Sequence, residues 1–402
     1  MRRRLVGGAL RRYRENVGYA LEDAARMLEC DRSKISRIET GQRGIRPKEL
    51  RELLTEYGVP DREQAALVAI ASRGGQRGWW HPYADVLPGP YLDYVIMESA
   101  AAEIMIYEAQ VVPGLLQTDD YARAIVAAEP GYATDQQRDE AVAARATRRQ
   151  VILGSSAERR LTVILGEAAL HQAVGGPGVM AGQISHLVQL ADDFPGLTLQ
   201  VLPFTAGAHA AAGSASLDYV IMESAAAEIM TYEAQVVPDL LQTDDYARAI
   251  IAAEPTYVTD QQREDAMAAK AARRQAVLGA SAEQRLSVIL GEGALRQSVG
   301  GPGVMAGQIG HLVRLIDDLP GLTFQVLPSS AGAHAAAASA SLAILSFSDA
   351  SGLGVVYLEA LAGGVCLEGQ EDVARYLGAF ALLRAAALSP PDSARLLSDL
   401  RV

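Results

Sequence analysis

The sequence predicts an all-α helix-turn-helix domain followed by a mixed α/β (α+β) domain with a tandem-duplicated segment. Three observations carry this. The first 72 residues show apolar positions at helical spacing and no β-rich run. Beyond residue 92, helical patterns alternate with short apolar runs such as Leu161-Thr162-Val163-Ile164-Leu165, the pattern of helices packed on a sheet. Residues 93–217 also recur as 218–342 at a constant offset of 125.

Taken in order, Arg2 to Val17 reads as a first helix, with Leu5, Ala9, Leu10 and Tyr13 on one face. Leu21, Ala24, Ala25 and Leu28 give a second, and Glu29-Cys30-Asp31 a tight turn. Asp31 suits the N-cap of a third helix, its carboxylate accepting the N–H of Ser33 or Lys34. Ile35 and Ile38 mark the buried stripe of that helix, and Arg32, Ser33, Ser36 and Arg37 point away from it. Gly41 closes it as a left-handed residue. Two short helices joined by such a turn make a helix-turn-helix. Pro47 suits the first turn of a fourth helix, whose inner face is Leu50, Leu53, Leu54 and Tyr57, and Asp61 to Ala71 is a fifth. This domain occupies residues 1–72.

Residues 73–92 are a linker rich in Gly and Pro that also holds Trp79, Trp80 and Tyr83. A merely flexible linker needs no tryptophan, so these rings are expected to pack against the domain that follows.

The two copies, 93–217 and 218–342, differ at 26 of 125 positions, and the period is too long for a solenoid. In each, the Ala-rich start is read as helical and then as a strand running into Gln110-Val111-Val112-Pro113. A helix over Asp119–Ala128, a long amphipathic helix over Asp135–Leu153, the strand at Leu161–Leu165, a helix over Met180–Phe194 and a strand over Leu197–Leu202 follow. Gly175-Gly176-Pro177-Gly178 is read as the turn into a helix, because Pro177 lacks the N–H that a phosphate cradle would use.

Residues 343–402 occur once. They hold strands near 341–347, 354–359 and 364–367, a helix over Gln370–Leu388 and a last short helix. One tail must therefore serve two near-identical copies. The expectation is a complete domain over 218–402 and an incomplete one over 93–217, with residues 217–222 available to the first copy as a borrowed strand.

The formal charge of −12 is divided unevenly: residues 1–58 carry +5 and the rest −17. A basic reading head on an acidic body fits binding of nucleic acid by the head alone. Cys30 and Cys366 are too few and too far apart for a disulfide framework or a zinc knuckle, which fits a reducing cytoplasm. No membrane span is read, no metal site and no cofactor. His-Glu-x-x-His, Walker and Gly-x-Ser-x-Gly motifs are missing, and the chain is not expected to be an enzyme. His209 and His334, in matching Gly-Ala-His-Ala contexts, are read as loop residues. Arg145, Arg148 and Arg149 are read as a solvated helix face paired to Asp139 or Glu140, or else as a partner-binding face.

Leu10-Arg11-Arg12-Tyr13-Arg14-Glu15, Leu21-Glu22-Asp23-Ala24-Ala25, Lys34-Ile35-Ser36-Arg37-Ile38-Glu39 and Gly41 resemble the XRE, or phage-repressor-type, helix-turn-helix. The resemblance implies that Arg32, Ser33 and Arg37 read bases. It also implies that Lys34, Ser36 and Arg43 lie near phosphates, and that Arg14 and Glu39 form a structural ion pair. Ala20 departs from the family's Ser or Thr N-cap, which weakens the start of the second helix by about 1 kcal/mol. A second set resembles the large C-terminal domain of an actinobacterial regulator family described as antitoxin-like and often encoded beside a small protein. It comprises Trp79-Trp80, Val111 to Thr118, Tyr121-Ala122-Arg123, Arg148-Arg149-Gln150, Leu202-Pro203 and Val356 to Glu359. The duplication departs from that family's single copy. So does Asp239, where the first copy has Gly114, a change that would strain a backbone at positive φ.

The expected function is a cytoplasmic, sequence-specific transcriptional regulator. It binds a double-stranded DNA operator as a homodimer and senses a small protein partner or a ligand through its C-terminal region. The alternative is an antitoxin-type protein that neutralises a small neighbour-encoded partner, with DNA binding as autoregulation.

Overall fold

A computed structural model describes residues 2–72, 79, 81–83, 91, 94–95, 98–99, 101–132, 134–154, 159–206, 217–255, 257–279, 284–337, 341–347, 354–359 and 364–400. The chain forms two compact units. One comprises Met1–Met105, Thr134–Thr162 and Phe194–Thr198, and the other Ile106–Ala133, Val163–Asp193 and Leu199–Val402.

The N-terminal bundle is α1 (Arg2–Asn16), α2 (Leu21–Met27), α3 (Arg32–Glu39), α4 (Pro47–Glu56) and α5 (Asp61–Ser72). Its core contains Val6, Leu10, Ala24, Ile35, Ile38, Leu50, Leu53 and Leu54, all buried. Gly18, Gly41 and Gly58 end α1, α3 and α4 at φ of 76°, 74° and 68°, the left-handed conformation that costs a glycine least. The linker's Trp79 donates from Nε1 to Ser99 Oγ (3.2 Å), and Tyr83 Oη meets Thr147 Oγ1 (3.0 Å). Trp80 lies outside the described residues.

The first copy supplies a three-stranded sheet in the order β1 (Glu103–Glu108), β2 (Arg160–Gly166), β3 (Leu197–Leu202). The strand expected to run into Gln110–Pro113 stops short of them: β1 ends at Glu108, and a 3-10 turn follows at Gly114–Leu116. Val112 is fully buried, its N–H satisfied by Tyr121 Oη (3.1 Å) and its carbonyl by Gln117 Nε2 (2.7 Å), so side chains take the place of a neighbouring strand.

The second copy and the tail build a six-stranded sheet in the order β6 (Leu322–Leu327), β5 (Arg285–Gly291), β4 (Glu228–Glu233), β7 (Ser341–Ser346), β8 (Gly354–Leu358), β9 (Val365–Leu367). β4 is parallel to β5 and antiparallel to β7, with Ile229 opposite both Leu286 and Leu345. Alternate residues feed two cores: Leu345, Val355 and Tyr357 face one, and Ile344 and Val356 the other, as a two-residue period requires. The second face is covered by Val373, Phe380 and Leu383 of the helix Gln370–Ala386. The outer edge of β6 is also covered. Ser393 Oγ accepts from Val326 N (2.9 Å), and Leu388 N donates to the Val326 carbonyl (2.9 Å).

The same sequence therefore meets different surroundings in the two copies. Val326 is fully buried, and its counterpart Val201 is 46% exposed; Tyr232 is 1% exposed, and Tyr107 43%. Residues 217–222 do not form a borrowed strand. Leu217–Ala225 is helical, and Tyr219 stacks on Tyr357 (4.0 Å between ring centres), a contact that fixes the helix on the second copy. Gly175 and Gly176, with their counterparts Gly300 and Gly301, lie at φ of 66–86° before Pro177 and Pro302, which start helices.

Strand edges without neighbours exchange their amides more readily than paired ones. In hydrogen exchange read by mass spectrometry, β1 and β3 should lose protection before β4 and β6. Equal protection of the two sets would show that the tail's strands do not set local stability.

Candidate nucleic-acid interface

The reading head is built from α2, a turn and α3. Glu29 takes φ 48° and Cys30 N donates to the Ala25 carbonyl (2.9 Å), which brings the chain round sharply. Asp31 is extended at the N-cap of α3, but its side chain accepts no hydrogen bond from the helix, contrary to expectation. The carboxylate is exposed, and hydration competes with the cap. At α2 the missing cap is half replaced: Asp23 Oδ2 accepts the Ala20 N–H (2.7 Å), the reciprocal arm of a capping box.

Ile35 and Ile38, each 1% exposed, hold α3 to the core. Arg32, Ser33 and Arg37 are exposed on the opposite side, Ser36 is half-buried, and Arg43 is exposed just beyond the helix, its N–H donating to the Arg37 carbonyl (2.9 Å). Arg37 Nε donates to the Ser33 carbonyl (3.2 Å). Arg32 Nε lies 2.9 Å from Glu22 Oε1, both side chains well exposed. Lys34 is tied to Glu49 Oε1 (2.7 Å) in a partly buried pair. That hydrogen bond draws the Glu49 carboxyl below its ordinary pKa, and it joins α3 to α4.

Arg14 and Glu39 form a two-pronged buried pair: Nε to Oε1 at 2.7 Å and Nη2 to Oε2 at 2.8 Å. The bond to Glu39 holds the guanidinium charged, and Arg14 Nη1 donates to the Tyr19 carbonyl (2.6 Å). A further requirement was missed by the sequence reading. A Cβ on Gly7 would lie 2.2 Å from the Ile38 carbonyl oxygen and 2.7 Å from that of Glu39, whereas one on Gly8 would meet nothing. α1 thus crosses the end of α3 in backbone contact at Gly7. The signal was a glycine within a helical pattern.

The second copy holds another concentration of charge. Arg273 is bidentate to Glu223 (2.5 and 2.8 Å) and reaches Asp239 (3.0 Å), which Lys270 also contacts (2.5 Å). Asp239 is therefore not strained: its counterpart Gly114 is not at positive φ. In the first copy Arg148 is likewise buried against Glu98 (2.5 and 2.6 Å), so it belongs to neither a solvated face nor a partner face. Around Glu223, Glu233, Asp239, Arg273, Tyr357 and Glu359 lies a cavity of about 50 Å³, room for a few waters. Burial raises the Glu233 carboxyl, with the nearby Glu359 adding to it, and burial with nearby Asp239 pushes Glu359 up to about 8. Burial thus favours the neutral form of both carboxyls. His334 is buried, edge-on to Tyr232 (5.7 Å), and burial lowers it to about 4. His209 lies outside the described residues. Among the described residues no cluster of three or more His, Cys, Asp or Glu could hold a metal ion, and no helix is long and apolar enough to cross a membrane.

Comparison with known proteins gives two matches. A family described as a helix-turn-helix domain matches residues 5–67, and a domain of unknown function (DUF5753) matches twice, at 91–217 and 216–399. No curated protein and no solved structure matches the chain.

Two outcomes follow from this geometry. Glu39→Ala strands the Arg14 charge in the core and should cost the bundle about 3–5 kcal/mol, read as a lower melting temperature with base preference unchanged. A variant that melts like wild type but prefers a different operator would reverse the assignment. Glu359 holds its proton to about pH 8 in the fold, but in the unfolded chain only to about pH 4.3. Its contribution is complete below the lower value and lost as pH rises through the higher. Glu359→Gln should therefore flatten the fall in melting temperature between about pH 5 and 8; profiles that superimpose on wild type would exclude it.

Proposed function

The chain belongs to the family of the domain of unknown function DUF5753, carried here behind a helix-turn-helix domain, and on that premise we propose that it is a sequence-specific DNA-binding transcriptional regulator. The carrying observation is α3. It is rigidly seated by Ile35, Ile38 and the Arg14–Glu39 pair, and it presents Arg32, Ser33 and Arg37 to solvent on one face. A short helix carrying two exposed guanidiniums beside small polar residues has the dimensions and donors to read base edges in a major groove. Arg32 and Arg37 are the base readers, Ser33 and Ser36 supply short polar contacts, and Arg43 neutralises phosphate. Lys34 serves the fold through Glu49 rather than the backbone of DNA. The remainder, at −17 beyond residue 58 against +5 for residues 1–58, keeps nucleic acid on the head and takes the sensing role, for a small protein or a ligand.

The test is binding to DNA selected from a random pool, followed by fluorescence anisotropy. Arg32→Ala with Arg37→Ala should weaken the selected site by at least about tenfold and relax discrimination, since each bidentate contact is worth roughly 1–3 kcal/mol. Arg43→Ala should weaken all sequences alike and flatten the salt dependence. Glu22→Gln frees Arg32 from its exposed pair and should tighten binding by about two- to fivefold. Unchanged affinity of the double variant would end this reading.

A further inference from the structure

Within the second compact unit, parts of the two copies meet, and they meet reciprocally. Tyr107 Oη donates to Gln235 Oε1 (3.2 Å), and Tyr232 Oη donates to Gln110 Oε1 (2.9 Å). Tyr232 is the counterpart of Tyr107, and Gln235 of Gln110. Ala173 N donates to the Ser329 carbonyl and Ser298 N to the Phe204 carbonyl, both at 3.0 Å; these pairs too exchange under the repeat. Contacts that swap in this way define an isologous, two-fold interface. The axis passes between Ala168 and its own counterpart Gly293, where a Cβ on the glycine would lie 3.3 Å from the Ala168 Cβ.

The two halves have diverged where they touch. Phe204 faces the glycine side: its ring edge would be 3.9 Å from a Cβ on Gly293, and it stacks on His171 (5.8 Å). The second copy has the small Ser329 in place of Phe204, and the first has Ala168 in place of Gly293. Large thus meets small when the first copy pairs with the second. Pairing like with like would set Phe204 against the Ala168 methyl, or leave Ser329 and Gly293 with space between them. Gln110 and Gln235 are 4% and 7% exposed, and a buried amide needs the partner it has here.

We propose that the duplicated copies form an internal two-fold dimer. The chain's own first copy occupies the face through which its complete domain would join a second chain, and the protein in solution is a monomer with one reading head. The tether keeps the mate at an effective concentration on the order of millimolar, well above that of a second molecule. A homodimer of heads, expected from the sequence, has no use for this face.

The full chain tests it. Ala168→Cys with Gly293→Cys, in a background of Cys30→Ser and Cys366→Ser, places two Cβ atoms 3.3 Å apart, close to the Cβ separation of a disulfide, about 3.5–4.5 Å. Under oxidised glutathione the double variant should form one disulfide within a single chain, identified by its cross-linked peptides, with no covalent dimer. Mixing the two single variants should give no cross-linked heterodimer. Light scattering on the wild-type chain should give the mass of one chain, independent of whether any variant folds. A disulfide between chains, a double variant that stays reduced while folded, or a wild-type dimer would overturn the proposal.

Discussion

Three times among the described residues a guanidinium leaves water and is held on both prongs by a glutamate. Arg14 with Glu39, Arg148 with Glu98 and Arg273 with Glu223 each show two contacts of 2.5–2.8 Å and little exposure. A charge buried without its partner costs several kcal/mol, so each pair makes the meeting of its two elements obligatory. Arg14 brings α1 against the end of α3, where Gly7 allows backbone contact. Arg273 brings the helix Asp260–Leu278 to Leu217–Ala225. The rest of the head and of the second copy is assembled around those fixed crossings.

The second organising constraint is the disposal of strand edges. An open edge carries unpaired amides and carbonyls. The second copy closes one side with β7 and the other with Ser393 and Leu388. The first copy has the same strands but no such tail, and its counterpart residues are more exposed. Sequence identity between the copies therefore does not imply equal structure.

The bundle was legible because its signals are local. Pro47 at the start of α4, Gly41 after α3 and the Ile35/Ile38 spacing all act within one or two turns. The second and third strands of each copy were legible as short apolar runs closed by Gly or Pro. The stretch at Gln110–Pro113 was misread because its backbone groups are satisfied by Tyr121 and Gln117 side chains rather than by a strand. Arg148 was misplaced for a related reason: whether a cation meets solvent or a carboxylate depends on a residue 50 positions away. The reciprocal contacts of Tyr107 and Tyr232 span more than 120 residues, and no local pattern announces them.

The repeat also has a genetic consequence. Its two copies are in frame, of equal length and differ at only 26 of 125 positions. Recombination between them would excise one copy and leave an open reading frame that still runs from the head to Val402. The shortened protein would keep every tail strand but lose its built-in mate, exposing the surface that carries Ala168 or Gly293 at this position. A single deletion would thus turn a self-contained reader into one whose assembly depends on its cellular abundance.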